Sequence, residues 1–378
     1  MTATLEGTAG ARRRLLADLD HPRQVFEHLT PNWFAAVMGT GIVANAAMVL
    51  PVQSPLITAF ATAIWLLAAL LLIGIGAAFV VHWRRHSATA RRYAADPVMS
   101  QFYGAVPMAL LTVGAGTLHI GEPMLGETVA LATSAVLWVS GTTIGVVTAI
   151  WVPFAMMTAA RQSENAALPA WLMPVVPPMV SASTGAALVA HLPAGQPRLA
   201  LLAGCYALFG MSLLLGLMTM TVIYARLIHG GVPESRLAPT IWITLGMVGQ
   251  SITAANLLAA ESHLVFLGER APIAGGLTIF GIVYGLVMGG FGVAMFALAT
   301  AVTVRTARRG LPFALTWWSF TFPVGTCVTG MCALGVAVDS APIRGLGAVL
   351  YVVLVAAWAT VATRTVGAVV RGRVFLPA

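Results

Sequence analysis

Five of the apolar stretches in this sequence carry hydroxyls, amides, prolines and glycines in their interiors. One holds Met38-Gly39-Thr40-Gly41 and Asn45, the next Pro107, Thr112, Gly114, Gly116 and Thr117. A third holds Pro174, Pro177, Pro178, Ser181, Ser183, Thr184 and Gly185; a fourth Pro239, Thr244, Gly246, Gly249, Gln250, Ser251, Thr253 and Asn256. The last holds Thr321, Pro323, Gly325, Thr326, Thr329 and Gly330. Such groups hydrogen-bond an anion or water without carrying charge, and a helix broken at Pro or Gly turns its positive dipole end toward negative charge. The residues that other chemistries need are missing there. None of the twelve Asp and Glu, and no Arg, falls in the middle of an apolar stretch. That removes the carboxylate relay usual in proton-driven pumps and the convergent acid–base groups of an enzyme. Cys205, Cys327 and Cys332 lack metal-ligand spacing and read as small buried hydrophobes. No metal or cofactor is expected.

The elements that must position these residues follow from composition. Of 378 residues, 59% are hydrophobic and 8% charged, and the mean hydropathy is +0.89. A soluble domain carries about a quarter charged residues. Soluble enzymes, disordered chains and conventional nucleic-acid binders are thereby excluded. A helix needs about 20 apolar residues to cross the hydrocarbon core. Ten segments qualify: 32–50, 56–82, 100–120, 128–158, 169–192, 198–228, 237–260, 272–304, 315–338 and 342–368. Their continuous apolarity argues against a β-barrel, whose strands alternate. The expected fold is an all-α polytopic membrane protein. A single transmembrane domain covers 32–370, between an N-terminal arm (1–31) and a C-terminal tail (371–378).

Every basic residue apart from the eight His is Arg, and all but Arg198, Arg270 and Arg344 fall on one side of this topology. They lie in the arm (Arg12, Arg13, Arg14, Arg23), in alternate links (Arg84, Arg85, Arg91, Arg92, Arg161, Arg226, Arg236, Arg305, Arg308, Arg309) and at the C-terminal end (Arg364, Arg371, Arg373). The positive-inside rule then puts both termini in the cytoplasm, in an inner (plasma) membrane. No apolar run follows Arg12–Arg14 at once, so the arm reads as a short interfacial helix broken at Pro22 and not as a secretion signal.

The polar stretches are the odd-numbered spans, beginning near residues 32, 100, 169, 237 and 315. The chain therefore reads as five helical hairpins in a quasi-five-fold arrangement, with odd helices lining a central pore and even helices outside. Expected pore-lining residues are Gly39, Thr40, Gly41, Asn45, Pro107, Thr112, Pro178, Ser181, Thr184, Gly249, Gln250, Thr253, Pro323 and Thr326. The alternative is close helix packing through the same small residues, which for any single glycine is the better account.

Three strings carry a family resemblance: Pro31-Asn32-Trp33-Phe34-Ala35-Ala36-Val37-Met38-Gly39-Thr40-Gly41-Ile42-Val43, Pro174-Val175-Val176-Pro177-Pro178-Met179, and Trp317-Trp318-Ser319-Phe320-Thr321-Phe322-Pro323. With the hairpin repeat, they make the chain resemble the tellurite-resistance/dicarboxylate transporter family. That family includes bacterial TehA, plant slow anion channels, the fungal malate permease and the fungal sulfite pump. The resemblance implies a homotrimer of ten-helix subunits, each with its own pore. It also implies a Phe plugging that pore midway, which by motif match is Phe322, an uncharged barrier. Phe320, two residues earlier, is expected to pack elsewhere.

The implied function is passage of small anions (C4-dicarboxylate, sulfite, chloride, nitrate or tellurite) through a channel or exporter. The alternative is a proton-motive-force-coupled carrier of malate or sulfite on the same scaffold. His119, His191 and His263, spaced by 72 residues, end three odd spans at matched heights near the outer mouth. They read first as local interfacial histidines and second as a pH-sensitive ring. Gly285 and Gly289 form a small-xxx-small packing pattern.

Overall fold

The computed structural model describes residues 22–158 and 167–376. Arg12, Arg13, Arg14, Arg161 and the part of the expected interfacial helix before Pro22 lie outside the described residues. Among those described there is no strand. The α-helices are α1 (Phe34–Met48), α2 (Pro55–Arg85), α3 (Ser87–Ala95), α4 (Ala105–His119), α5 (Glu122–Leu125), α6 (Glu127–Thr158), α7 (Pro177–Val189), α8 (Gln196–Gly230), α9 (Ile243–Ser262), α10 (Ala271–Arg308), α11 (Phe322–Ala337) and α12 (Ala341–Arg371).

Five long helices and five short ones alternate. The long ones, α2, α6, α8, α10 and α12, run 31 to 38 residues, enough at 1.5 Å per residue to exceed a hydrocarbon core of about 30 Å. Local chemistry sets their ends. Ser54 and Ser340 cap α2 and α12 by accepting from Ile57 and Ile343 N–H, with a proline in the first turn of each. Arg84 and Arg85, Arg305 and Arg308, and Arg371 sit in the last turns of α2, α10 and α12, where positive charge suits the helix dipole. Gly372 ends α12 at φ 85°, a left-handed geometry that favours glycine.

The short helices α1, α4, α7, α9 and α11 have 13 to 20 residues. Each follows a 3₁₀ segment: Pro31–Trp33, Met99–Gly104, Pro169–Leu172, Ala238–Trp242 and Leu315–Phe320. A 15-residue α-helix is only about 22 Å long; the 3₁₀ lead-in, rising about 2 Å per residue, adds reach. The prolines mark these joints. Pro177, Pro178 and Pro323 open α-helices, Pro107 lies in the first turn of α4, and Pro31 and Pro239 lie in lead-ins. Expected as breaks within spans, they stand at helix starts, where a missing N–H costs nothing. Among the described residues, seven helical segments are long and apolar enough to cross a membrane, and an eighth if α3 and the segment Met99–His119, bent by 100°, count as one. The link after α2, read as a loop, is largely the helix α3.

The short helices form a closed ring, packing in the order α1–α4–α7–α9–α11–α1. Each long helix lies outside, against its own short partner and the next one round: α2 on α1 and α4, α6 on α4 and α7, α8 on α7 and α9, α10 on α9 and α11, α12 on α11 and α1. The short helices are buried on nearly every face, while the long ones expose large apolar side chains such as Leu70, Trp151, Met218 and Val287. Only lipid suits such a surface, so the chain is a multi-pass membrane protein. Three outer tryptophans tie consecutive hairpins together, since a buried indole N–H needs a partner. Trp65 donates to Thr117 Oγ1 of α4 (3.3 Å), Trp138 to the Ser181 carbonyl of α7 (2.9 Å), and Trp358 to Thr40 Oγ1 of α1 (3.2 Å).

Both described chain ends lie at one end of the ring, where Trp33 stacks on Phe375 at 5.4 Å. The segment before α1 is clipped to α3 there, His28 Nδ1 lying 3.0 Å from the Tyr93 hydroxyl. Burial pushes that phenol above its ordinary pKa, so it remains a donor. The C-termini of α2, α8, α10 and α12, with their arginines, share this end.

Candidate functional site

Two cavities lie along the ring, one turn of helix apart. At the C-terminal ends of the short helices is a cavity of about 510 Å³, walled by all five of them. Its polar lining comprises Asn45, His119, Ser183, Thr184, Gln250, Thr253, Asn256, His263, Thr278 and Thr329, and no Asp, Glu or Arg lines it. Toward the N-terminal ends is a small, mostly apolar space of about 20 Å³, room for about one water. Met38 of α1, Met108 of α4, Met173 and Val176 leading into α7, Ile243 of α9 and Phe322 of α11 surround it, so every inner hairpin arm contributes. The two spaces share helix faces: Met38 and Ile42, and Gly246 and Gln250, are each four residues apart with one member in each cavity. Phe322 is 3% exposed. Phe320 turns away, edge-on to Trp242 (5.7 Å) and Trp317 (5.9 Å).

Of the expected lining residues, Asn45, Thr184, Gln250 and Thr253 meet in the larger cavity, and Pro323 joins Phe322 at the smaller. Their polar atoms are held in place. Asn45 Nδ2 donates to the Thr112 carbonyl (3.0 Å), Gln250 Nε2 to Ser183 Oγ, and the hydroxyls of Thr253 and Thr329 are 2.8 Å apart. Thr184 donates to the Val180 carbonyl.

The other nine stand outside these two cavities, in helix packing. Thr40 and Ser181 serve the indole bonds described above. Gly39 abuts Thr321 and Trp318, and Gly41 abuts Thr112, whose hydroxyl bonds the Met108 carbonyl. Pro107 backs onto Gly141 and Gly145 of α6, and Pro178 is buried in the first turn of α7. Thr326 donates to the Pro323 carbonyl (2.7 Å) and faces Gly246. Gly249 lets α9 and α11 touch: a Cβ there would lie 2.5 Å from the Cys327 nitrogen and the Thr326 carbonyl carbon.

Ser183, Asn256 and Thr329 line the larger cavity without having been among the expected lining residues, as do apolar Ile42 and Ala115. The readable signal is a stripe at helical spacing, Gln250–Thr253–Asn256 with Leu257 and Ala260. The methionine collar around Phe322 carried no polar signal at all. His119 and His263 reach the larger cavity and His191 does not; His263 Nε2 lies 3.2 Å from Thr278 Oγ1.

Known proteins share this architecture's sequence along most of its length. A sulfite efflux pump of Arthroderma otae is 28% identical over 342 residues, 89% of this chain and 89% of the pump. An uncharacterized transporter of Methanocaldococcus jannaschii is 28% identical over 353 residues, covering 93% and 96%. A putative malic acid transport protein of Schizosaccharomyces pombe is 22% identical over 351 residues, covering 91% and 80%. Residues 28–366 match the voltage-dependent anion channel family, and the chain belongs to that family.

Proposed function

We propose that each subunit conducts small anions along the axis of its own ring, closed by Phe322. The observation that carries this reading is the pair of coaxial cavities, the larger polar but free of charged side chains, the smaller sealed by apolar ones. An anion crossing such a path is solvated by hydroxyls, amides and water and is held by no fixed cation. An apolar collar with room for about one water blocks it, because a bare ion in an apolar medium is disfavoured by tens of kcal/mol. The relatives' sulfite and malic acid point to small oxyanions, with sulfite and C4-dicarboxylates first, and chloride, nitrate and tellurite as further candidates. The path lacks a carboxylate, which supports passive flow over proton coupling. The protein carries no catalytic site in this reading. It sits in the inner membrane as a ten-span homotrimer with its arginine-bearing end in the cytoplasm.

The test is flux through purified protein in liposomes, with sulfite, malate and chloride in turn. Downhill, uncoupler-resistant flux is expected. Accumulation against a gradient that an uncoupler abolishes would replace the channel with the coupled carrier.

A further inference from the structure

At the arginine-bearing end, beside the collar, is a third space: an open cleft of about 770 Å³. Residues from distant parts of the chain build it. Arg364 and Arg371 come from the last turns of α12, Arg373 from the turn after it, and Arg236 from the segment leading to α9. Four arginines face one carboxylate, Glu234. Among the described residues no carboxylate lies within salt-bridge distance of Arg236, Arg364 or Arg371; Arg344 pairs with Asp339 at the other end. Thr30, Asn32, Thr316 and Thr363 add neutral hydrogen-bonding groups to the wall.

The cleft is also next to the closure. Leu315, 9% exposed, lines both the cleft and the 20 Å³ space beside Phe322. The short helices all begin at this end, so their positive dipole ends point the same way. The opposite cavity has no arginine in its lining. The charge along the path is therefore lopsided.

We infer that this cleft is an oxyanion-binding site that loads the conduit from the arginine-bearing side. It rests on the anion-conduit reading and adds a ligand class and a preferred face of entry. Guanidinium groups bind planar and tetrahedral oxyanions through paired charge-assisted hydrogen bonds. Arg236, Arg364 and Arg371, with no carboxylate in reach, favour a doubly charged oxyanion over chloride, which offers a single point to bond. Free oxyanion and phospholipid headgroup share this chemistry. The cleft's junction with the collar at Leu315 favours the free anion.

The test is calorimetric titration of sulfite into purified full-length protein in nanodiscs of zwitterionic phosphatidylcholine. It compares wild type, Arg364→Gln/Arg371→Gln, and Arg308→Gln/Arg309→Gln, which removes equal charge from the end of α10. Size-exclusion profile and melting temperature check that each variant folds. Sulfite should bind wild type and the α10 control alike, weaken at least tenfold in Arg364→Gln/Arg371→Gln, and outcompete chloride at equal concentration. Equal affinity in all three proteins would overturn the cleft. So would absence of sulfite binding with a tightly held anionic phospholipid, seen by native mass spectrometry in wild type and missing from Arg364→Gln/Arg371→Gln. Flux separates the two levels. Wild-type or Phe322→Ala flux that persists in either negative case leaves the conduit standing, while absence of flux from both sinks the conduit itself.

Discussion

Replacing Phe322 with alanine tests the closure most directly. The apolar space beside its ring is about 20 Å³. Holding a water takes about 10–15 Å³ of such space, so the collar has room for about one water and none for a hydrated anion. Truncating a Phe opens space on the order of 100 Å³, comparable to engineered core cavities. That is enough for a short file of waters joining the smaller space to the larger cavity one turn away. Downhill flux in proteoliposomes should rise at least tenfold, equivalent to about 1.4 kcal/mol off the barrier. A buried Phe→Ala change costs about 3–5 kcal/mol where the cavity stays dry; entry of water through the opened path should keep the loss below that range. Thermal unfolding in detergent and sulfite or chloride flux are measured on the same preparation. Unchanged flux in a folded Phe322→Ala protein would refute the argument. If Met38→Ala or Met108→Ala opened the path when Phe322→Ala did not, the collar would be the barrier and the ring a bystander.

Four further outcomes follow from the geometry. In a background lacking Cys205, Cys327 and Cys332, Thr253→Cys should react with a hydrophilic thiol reagent and Thr326→Cys should not; equal labelling would show the lining to be misassigned. Gly249→Ala should lower stability by about 1–3 kcal/mol, because the new methyl meets backbone of α11 and not a movable side chain; an unchanged melting temperature would argue that α9 and α11 separate freely. Thr253→Val removes the bond to Thr329 and should cost about 0.5–1.5 kcal/mol, read as a lower melting temperature; no loss would mean the two hydroxyls are already solvated. Trp358→Phe, which unties α12 from Thr40, should destabilise by a similar amount, and an unaltered melting curve would remove the indole bonds from the account of ring closure.

The sequence alone determined the solvent this protein lives in, the pairing of its helices, and which of each pair is inside. Those properties are local. Apolar runs as long as that of α2 suit only lipid, arginines collect in links on one side, and hydroxyls recur in every second segment, joined by prolines in all of these but the first, where Pro31 stands at the edge. Only the tertiary structure decided which polar groups meet in the larger cavity. Thr326 and Thr329 show why. They are three residues apart on α11, yet one is locked against α9 and the other opens into the larger cavity. A helix that faces water on one side advertises that side as a polar stripe. The short helices are covered on nearly every side by other helices, so each face is similarly apolar and small, and the stripe that would single out the cavity face is faint. The collar is less legible still, because Met38, Met108 and Met173 are separated widely in sequence and come together only when the ring closes around Phe322. The arginine cleft is of the same kind: the Arg236 segment and α12 both pack against Leu315–Phe320, which brings Arg236 and Arg371 to one wall, a contact no local pattern encodes.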